Sequence, residues 1–322
     1  MIKEMLGLRE RRKRQMNESR QPEQSMQHLA SLIQRHAPAD GLYSTAVPAL
    51  TLRHATKASE PLETVHQPSI CIVAQGAKTA TLADVSYRYD PSTFLVVSVE
   101  LPMVGRIVEA SLEVPYLALK LGFDSDVVLD IVKEMEETRR SGREEASRGV
   151  AVNQLTPALL QAVVRLLELL DTPEDIPILS PLVIREILYR VLQGEQGALV
   201  RQFAIVGSHA QRIAKAIQRI NREYDSPLAV DRLAESVHMS TSAFHKYFKR
   251  VTSLSPLQYQ KTVRLQEARR LMLTEGMLAA DAAFHVGYES PSQFSREYAR
   301  MYGRPPMLDI RELREAIAEV PR

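Results

Sequence analysis

Two segments of the chain, fifty residues apart, repeat one pattern of hydroxyl, aromatic and proline residues. The aligned pairs are Ser242 and Ser292, Phe244 and Phe294, Phe248 and Tyr298, and Pro256 and Pro306. Aromatic residues four positions apart lie on one face of a helix, so each segment predicts a helix with an apolar back. A shorter apolar helix and a turn precede each one, with His238 at the first turn and Gly287 at the second. Two copies are too few for a solenoid, and they predict a duplicated helix-turn-helix.

The segment between the two units predicts one long helix over 255–273, with Ser255 as its cap and Pro256 in its first turn. Such a helix is about 27 Å long. It could therefore hold the second helices of both units about one turn of DNA apart, roughly 34 Å. The outer faces of those helices carry hydrogen-bond donors and positive charge, as base recognition requires. A plain helical bundle with solvated polar faces is the alternative that the repeat alone leaves open.

The charge of the chain is unevenly distributed. Residues 38–178 carry a net charge of −8, whereas residues 208–322 carry +5. A basic tail is typical of a part that meets a polyanion. The single cysteine, Cys71, excludes an internal disulfide framework and fits a reducing compartment. Since the charged N-terminus lacks a secretion signal and no apolar run is long enough for a membrane span, we expect a cytoplasmic protein without a membrane partner.

Residues from about 46 to 121 alternate short runs rich in Val, Ile, Thr and Tyr with turn residues, which predicts an antiparallel β-sandwich or barrel. Helical patterns follow from Asp124. A polar segment over 141–154 is expected to be mobile, and a later helix is expected to begin with Ser180 and Pro181. In the helix over 156–171 a seam at coiled-coil spacing predicts a homodimer contact. A helix packed on two sides within one subunit is the alternative. The seam residues are Leu159, Val163, Leu166 and Leu170.

Residues 208–308 resemble the DNA-binding domain of the AraC/XylS family of bacterial transcription regulators, through "VGYESPSQFSREY" (286–298) and "YGRPP" (302–306). The strand-rich part resembles the N-terminal domain of one subgroup, through "ICIVAQGAKTATL" (70–82) and "PYLALKLGFD" (115–124). The resemblance implies an α+β chain: a cupin-like antiparallel β-barrel with a helical dimerisation element, then an all-α duplicated helix-turn-helix domain. It implies a transcription regulator, more often an activator, that binds double-stranded DNA, a small-molecule effector and RNA polymerase.

Carried over by position, the resemblance directs eight side chains toward DNA bases. In the first unit they are Thr241, Ser242, His245 and Lys246, and in the second Ser292, Gln293, Ser295 and Arg296. The chemistry agrees, because Arg or Lys pairs with guanine, Gln with adenine and Ser with either.

A cupin-type metalloenzyme fused to a DNA-binding domain is the rival interpretation. Cupin metal sites use a His-x-His pair, and none occurs in the chain, so neither catalysis, a metal nor a cofactor is predicted. Cys71, with Lys78 nearby, is a candidate for sensing or binding the effector, because a cation could lower the pKa of the thiol. A small buried strand residue is the alternative for Cys71.

These patterns predict five parts of the chain. They are a basic, flexible arm over 1–37, an effector and dimerisation domain over 38–195, a linker over 196–207, the DNA-binding domain over 208–308 and a C-terminal helix over 309–322.

Overall fold

The computed structural model describes residues 22–136, 148–195 and 197–318. Strands occur up to residue 154 and only helices follow it in the described chain. The predicted α+β class, with antiparallel strands first and helical units last, is confirmed. The strands are β1 (Gly41–Ser44), β2 (Leu50–Ala55), β3 (Leu62–His66), β4 (Ser69–Gln75), β5 (Ala77–Leu82), β6 (Val85–Tyr89), β7 (Thr93–Val97), β8 (Leu101–Glu109), β9 (Tyr116–Gly122) and β10 (Val150–Gln154).

The strands form two antiparallel sheets. The larger has the order β1-β2-β9-β4-β7-β10 and the smaller the order β3-β8-β5-β6. Because side chains alternate between the two faces of a strand, each sheet has two distinct surfaces. In β4 of the larger sheet, Ile70 and Ile72 pack with the helices, whereas Cys71 and Val73 belong to the core shared with the smaller sheet.

Five helices accompany the sheets: α1 (22–36), α2 (Ser125–Glu136), α3 (Pro157–Glu168), α4 (Ile176–Gln193) and α5 (Gly197–Ala204). Thr156 caps α3 through its side chain, and Pro157 begins the helix, as predicted. The helix α4 begins at Ile176, with Pro177 in its first turn and Pro181 inside it, rather than at Ser180 as the proline pattern predicts.

The helix α3 is buried within one subunit. Leu159, Val163 and Leu166 are at most 2% exposed, and Leu170 packs against the same core. The prediction of a dimer seam through these four residues is therefore wrong. A helix that is apolar on two sides must bury both, and here the monomer's own core, which includes residues of α1, α4 and the larger sheet, buries them.

Three further segments differ from the sequence prediction. The predicted flexible arm contains α1, whose Leu29, Leu32 and Ile33 are at most 1% exposed; the basic run over 9–15 lies outside the described residues. The predicted linker contains α5, which buries Leu199 and Phe203. The segment over 141–154, expected to be mobile, ends in β10, which pairs with β7; its residues 141–147 lie outside the described part of the chain.

The C-terminal part consists of α6 (His209–Arg222), α7 (Val230–Ser236), α8 (Thr241–Thr252), α9 (Pro256–Thr274), α10 (Ala279–His285), α11 (Pro291–Tyr302) and α12 (Pro306–Ala318). The pairs α7–α8 and α10–α11 are the two predicted units, and α9 joins them. A capping box of Ser255 and Gln258 begins α9, with Pro256 in its first turn. No described helix combines the length and the low charge that crossing a bilayer requires.

Candidate nucleic-acid interface

The second helix of each unit packs against the neighbouring helices through buried aromatic side chains on one face. In α8, Phe244 and Phe248 are fully buried, and the Phe248 ring meets the Tyr259 ring of α9 edge-on at 5.6 Å between centroids. In α11, Phe294 and Tyr298 are fully buried as well. Burying such a side chain contributes about 1.5–3 kcal/mol. Each helix is therefore anchored along one side, which leaves its other side to solvent.

Matching caps set where these two helices begin and end. Ser240 caps α8 and Ser290 caps α11, each accepting a hydrogen bond from a backbone N–H of the first turn. At the other ends, Ser253 (φ 61°) and Gly303 (φ 78°) take the left-handed conformation that stops a helix. The two helices have the same length, twelve residues, although their sequences differ at most positions.

The turns inside the two units share one backbone conformation. Gly287 has a φ of 83°, and a Cβ there would lie 1.8 Å from the Asp225 carbonyl oxygen, so no side chain fits. His238 adopts a φ of 55° at the corresponding place. Each turn is braced by an arginine, because Arg212 donates to the His238 carbonyl at 2.7 Å and Arg264 donates to the Gly287 carbonyl at 2.8 Å.

The eight side chains predicted to meet DNA lie in the first halves of α8 and α11. Seven are exposed and Ser295 is partly buried. The Thr241 hydroxyl donates to Asp231 at 2.9 Å, which fixes its orientation at the first turn of α8. Lys246 and Arg296 have no carboxylate partner among the described residues, so their charges are open to an anion.

Other residues beside the eight predicted base readers could not be recognised from local sequence patterns. The His209 ring of α6 stacks on Tyr247 at 4.1 Å between centroids, and Lys246 lies 5.6 Å from the centroid of the same Tyr247 ring. The bracing residues Arg212 and Arg264 act across 26 and 23 positions of sequence. Residue patterns reveal periodicity within a helix, whereas these contacts depend on how separate helices pack.

The helical part also contacts segments that lead into both sheets. The Tyr259 hydroxyl of α9 is 3.0 Å from the Glu100 carbonyl oxygen and 3.1 Å from Asn221 Oδ1. Asn221 also donates to the Glu100 carboxylate, and the Gly149 N–H donates to the Val251 carbonyl at 3.0 Å. These contacts join the segment before β8, and the segment before β10, to α6, α8 and α9.

A second contact places β3 against α9 and α12. Arg269 donates two hydrogen bonds to Asp309, at 2.8 and 3.0 Å, and Tyr298 donates a third at 2.7 Å. Glu63 of β3 lies 3.9 Å from Arg269, and its Oε2 has no hydrogen-bond partner among the described residues. Burial raises the pKa of the Glu63 carboxyl, and the Tyr302 hydroxyl and the Arg269 charge act against that rise.

Cys71 and Lys78 lie on facing sheets. Burial raises the pKa of the Cys71 thiol, and the charges of Lys78 and Lys120 act against that rise. The raised pKa opposes the thiolate that a reactive cysteine requires. Burial lowers the pKa of Lys78. The role of both residues in sensing an effector stays a prediction.

Two anchored helices with donor-rich outer faces, attached to a two-sheet domain, define a class of protein: a DNA-binding regulator with a separate sensing domain. Residues 46–199 match the family model for the N-terminus of AraC-type transcriptional regulators, and residues 233–309 match a helix-turn-helix domain model. The chain belongs to the AraC/XylS family of transcription regulators.

Curated relatives agree with this assignment. The chain is 27% identical to the lactose operon transcription activator of Staphylococcus xylosus over 124 residues, which are 38% of this chain and 44% of that protein. It is 22% identical to the Msm operon regulatory protein of Streptococcus mutans over 215 residues, 63% of this chain and 70% of that protein.

Among solved structures, the chain is similar to ToxT from Vibrio cholerae. The TM-score is 0.52 at 10% identity, over 81% of this chain and 98% of ToxT. A structure of ToxT with an unsaturated fatty acid bound gives a TM-score of 0.52 at 10% identity, over 81% of this chain and 94% of that one. At this identity the likeness concerns the fold.

Proposed function

We propose that this chain is a transcription activator that reads DNA with the first halves of α8 and α11 and is controlled by a small molecule bound between its two sheets. The observation that carries the proposal is the pair of exposed, donor-rich helix faces, each anchored by a buried aromatic back. The base readers proposed are Thr241, Ser242, His245, Lys246, Ser292, Gln293, Ser295 and Arg296. RNA polymerase is the further partner that activation requires, and the cytoplasm is the compartment.

Base reading is tested with a duplex that the full chain selects from a randomised pool. Replacing Arg296 with Ala should weaken binding to that duplex by ~1–3 kcal/mol and relax preference at one base pair. The matched control is Lys57→Ala, an exposed cation in the loop before β3 that is remote from both helices in sequence. A loss that is equal on every DNA sequence would assign Arg296 to phosphate rather than to a base.

A homodimer is proposed through α4. Ile178, Leu182 and Tyr189 follow one face of this helix and are 70%, 62% and 39% exposed. Apolar side chains left exposed along one helix face are typical of a protein interface. Ile178→Glu with Leu182→Glu should give a monomer by light scattering, while Leu257→Glu, at an exposed leucine of α9, should leave a dimer. Persistence of the dimer in the double variant would place the interface elsewhere.

The proposed control of DNA binding uses the contacts between the two sheets and the helical part. Glu100, Glu63 and Gly149 lie in or beside the sheets, and their partners lie in α6, α8 and α9. An effector that changes the spacing of the sheets would move these contacts. It can shift the equilibrium between two arrangements of the sheets and the helical part only as far as it binds one arrangement more tightly than the other.

Among the described residues, no three histidine, cysteine or acidic side chains lie close enough together to hold a metal ion.

A further inference from the structure

Glu297 is the one acidic residue of α11, the second helix that is proposed to read DNA. Its side chain is only 18% exposed, whereas the proposed base readers Gln293 and Arg296 on the same helix are exposed. A carboxylate on such a helix opposes the attraction between the helix and the phosphates of DNA. Its position beside the base readers therefore points to a local role.

Two groups outside α11 hold this carboxylate in place. The Tyr288 hydroxyl, in the segment between α10 and α11, donates a hydrogen bond to Glu297 Oε2 at 2.9 Å. Lys261 of α9 places its Nζ 3.2 Å from the other oxygen, Oε1. Burial raises the pKa of Glu297, but the hydrogen bonds from Tyr288 and Lys261 outweigh it, so the pKa lies below its ordinary value of 4.5 and the carboxylate is ionised at pH 7.

The fixed carboxylate in turn contacts a proposed base reader. Gln293 lies four positions before Glu297, on the same side of the helix, and the two side chains form a hydrogen bond. An ionised carboxylate only accepts hydrogen bonds, so the Gln293 amide must contact it through its nitrogen. One N–H of the amide is therefore directed to Glu297, while the amide oxygen and the other N–H stay available to DNA.

We propose that Glu297 is a positioning residue, which holds the Gln293 amide in the orientation that reads adenine. In the major groove adenine presents the N6–H donor beside the N7 acceptor, and these match the amide oxygen and the remaining N–H. Guanine presents two acceptors there, O6 and N7, so the amide oxygen would oppose one of them. Glu297 thus selects adenine over guanine by acting through Gln293. This inference rests on the proposed function, because it assumes that Gln293 meets a base.

The first unit has a different arrangement at the same place. The residues fifty positions earlier are Ala243 and Tyr247, and the side chain of Ala243 has no hydrogen-bonding group. The Tyr247 ring stacks on His209 of α6 instead. The positioning role is therefore specific to the second unit, and the base preferences of the first unit serve as an internal reference.

The test measures the preference at each base pair in the duplexes that the full chain and its variants select from a randomised pool. Gln293→Ala identifies the base pair that Gln293 reads, where the wild type should prefer adenine by about fivefold to 150-fold. Glu297→Ala should reduce that preference by about twofold to tenfold, with guanine gaining most, because the freed amide must be ordered on binding. Glu235→Ala, at an exposed carboxylate of α7, is the matched control and should keep every preference.

Two further variants separate positioning from a structural role. Gln293→Ala with Glu297→Ala should show the preferences of Gln293→Ala alone, since Glu297 acts only through that amide. Tyr288→Phe keeps the ring on Phe294 but removes one donor to Glu297, so it should give a smaller loss at the same base pair, even where Glu297→Ala fails to fold.

Three results would overturn the inference: a Glu297→Ala loss that is equal on every DNA sequence, a change at a base pair other than the one Gln293 reads, or wild-type preferences in both Glu297→Ala and Tyr288→Phe. A wild-type preference for a base other than adenine at that position would overturn it as well. If Gln293→Ala changes one base pair and the Glu297 variant changes none, only this inference fails. If the wild type selects no duplex, the proposed function fails.

Discussion

The Tyr259 hydroxyl connects the helical part to the smaller sheet, and Tyr259→Phe removes it while keeping the ring. The hydroxyl lies 3.0 Å from the Glu100 carbonyl oxygen and 3.1 Å from Asn221 Oδ1, and the side chain is fully buried. The ring's edge-on contact with Phe248 does not involve the hydroxyl. Leaving a buried acceptor without its donor costs ~1–3 kcal/mol. The free energy of unfolding of the variant should fall by that amount.

Urea unfolding followed by circular dichroism measures the effect, since the chain has no tryptophan to report it. With a slope of about 3 kcal/mol per molar urea, the midpoint should fall by roughly 0.3–1 M. Tyr43→Phe is the matched control, because that hydroxyl donates to the Ala39 carbonyl at an exposed site; its cost should stay within ~0.5 kcal/mol. Equal midpoints for Tyr259→Phe and the wild type would refute the contact between the two parts.

Three further predictions concern the turns and the buried carboxyl. Gly287→Ala should destabilise the chain by more than ~3 kcal/mol, measured by urea unfolding, because its Cβ would overlap the Asp225 carbonyl. His238→Gly should stabilise the chain by about 0.5–1 kcal/mol in the same assay, because glycine adopts a φ of 55° without the strain of a side chain; a loss would refute this. Burial raises the folded-state pKa of Glu63, so wild-type stability falls as pH rises through that pKa. Glu63→Gln should therefore unfold at a higher temperature than the wild type at neutral pH, with the difference shrinking as pH falls through that raised pKa and gone below the ordinary value of 4.5; a constant difference from pH 4 to 8 would contradict the assignment.

The apolar seam of α3 was predicted to form a dimer contact, and it packs inside the monomer instead. Coiled-coil spacing and burial within one subunit leave the same apolar pattern, since both remove the residues from water. Leu159 and Leu166 pack in the monomer core, while the exposed apolar stripe with Ile178 and Leu182 lies on α4, where proline residues obscured the helix pattern. The same limit applied to α1 and α5, whose short apolar faces have no partner that the sequence identifies.

The sequence by itself determined the two helix-turn-helix units. Their aromatic spacing, serine caps and left-handed turn at Gly287 are local features, encoded within a few residues of each position. Tertiary structure alone decided what surrounds them: Arg212 and Arg264 bracing the turns, and Tyr259 reaching Glu100. Those contacts join residues 23 to 159 positions apart. Periodicity within one element carries no information about which distant element it will face, because that depends on how the whole chain packs.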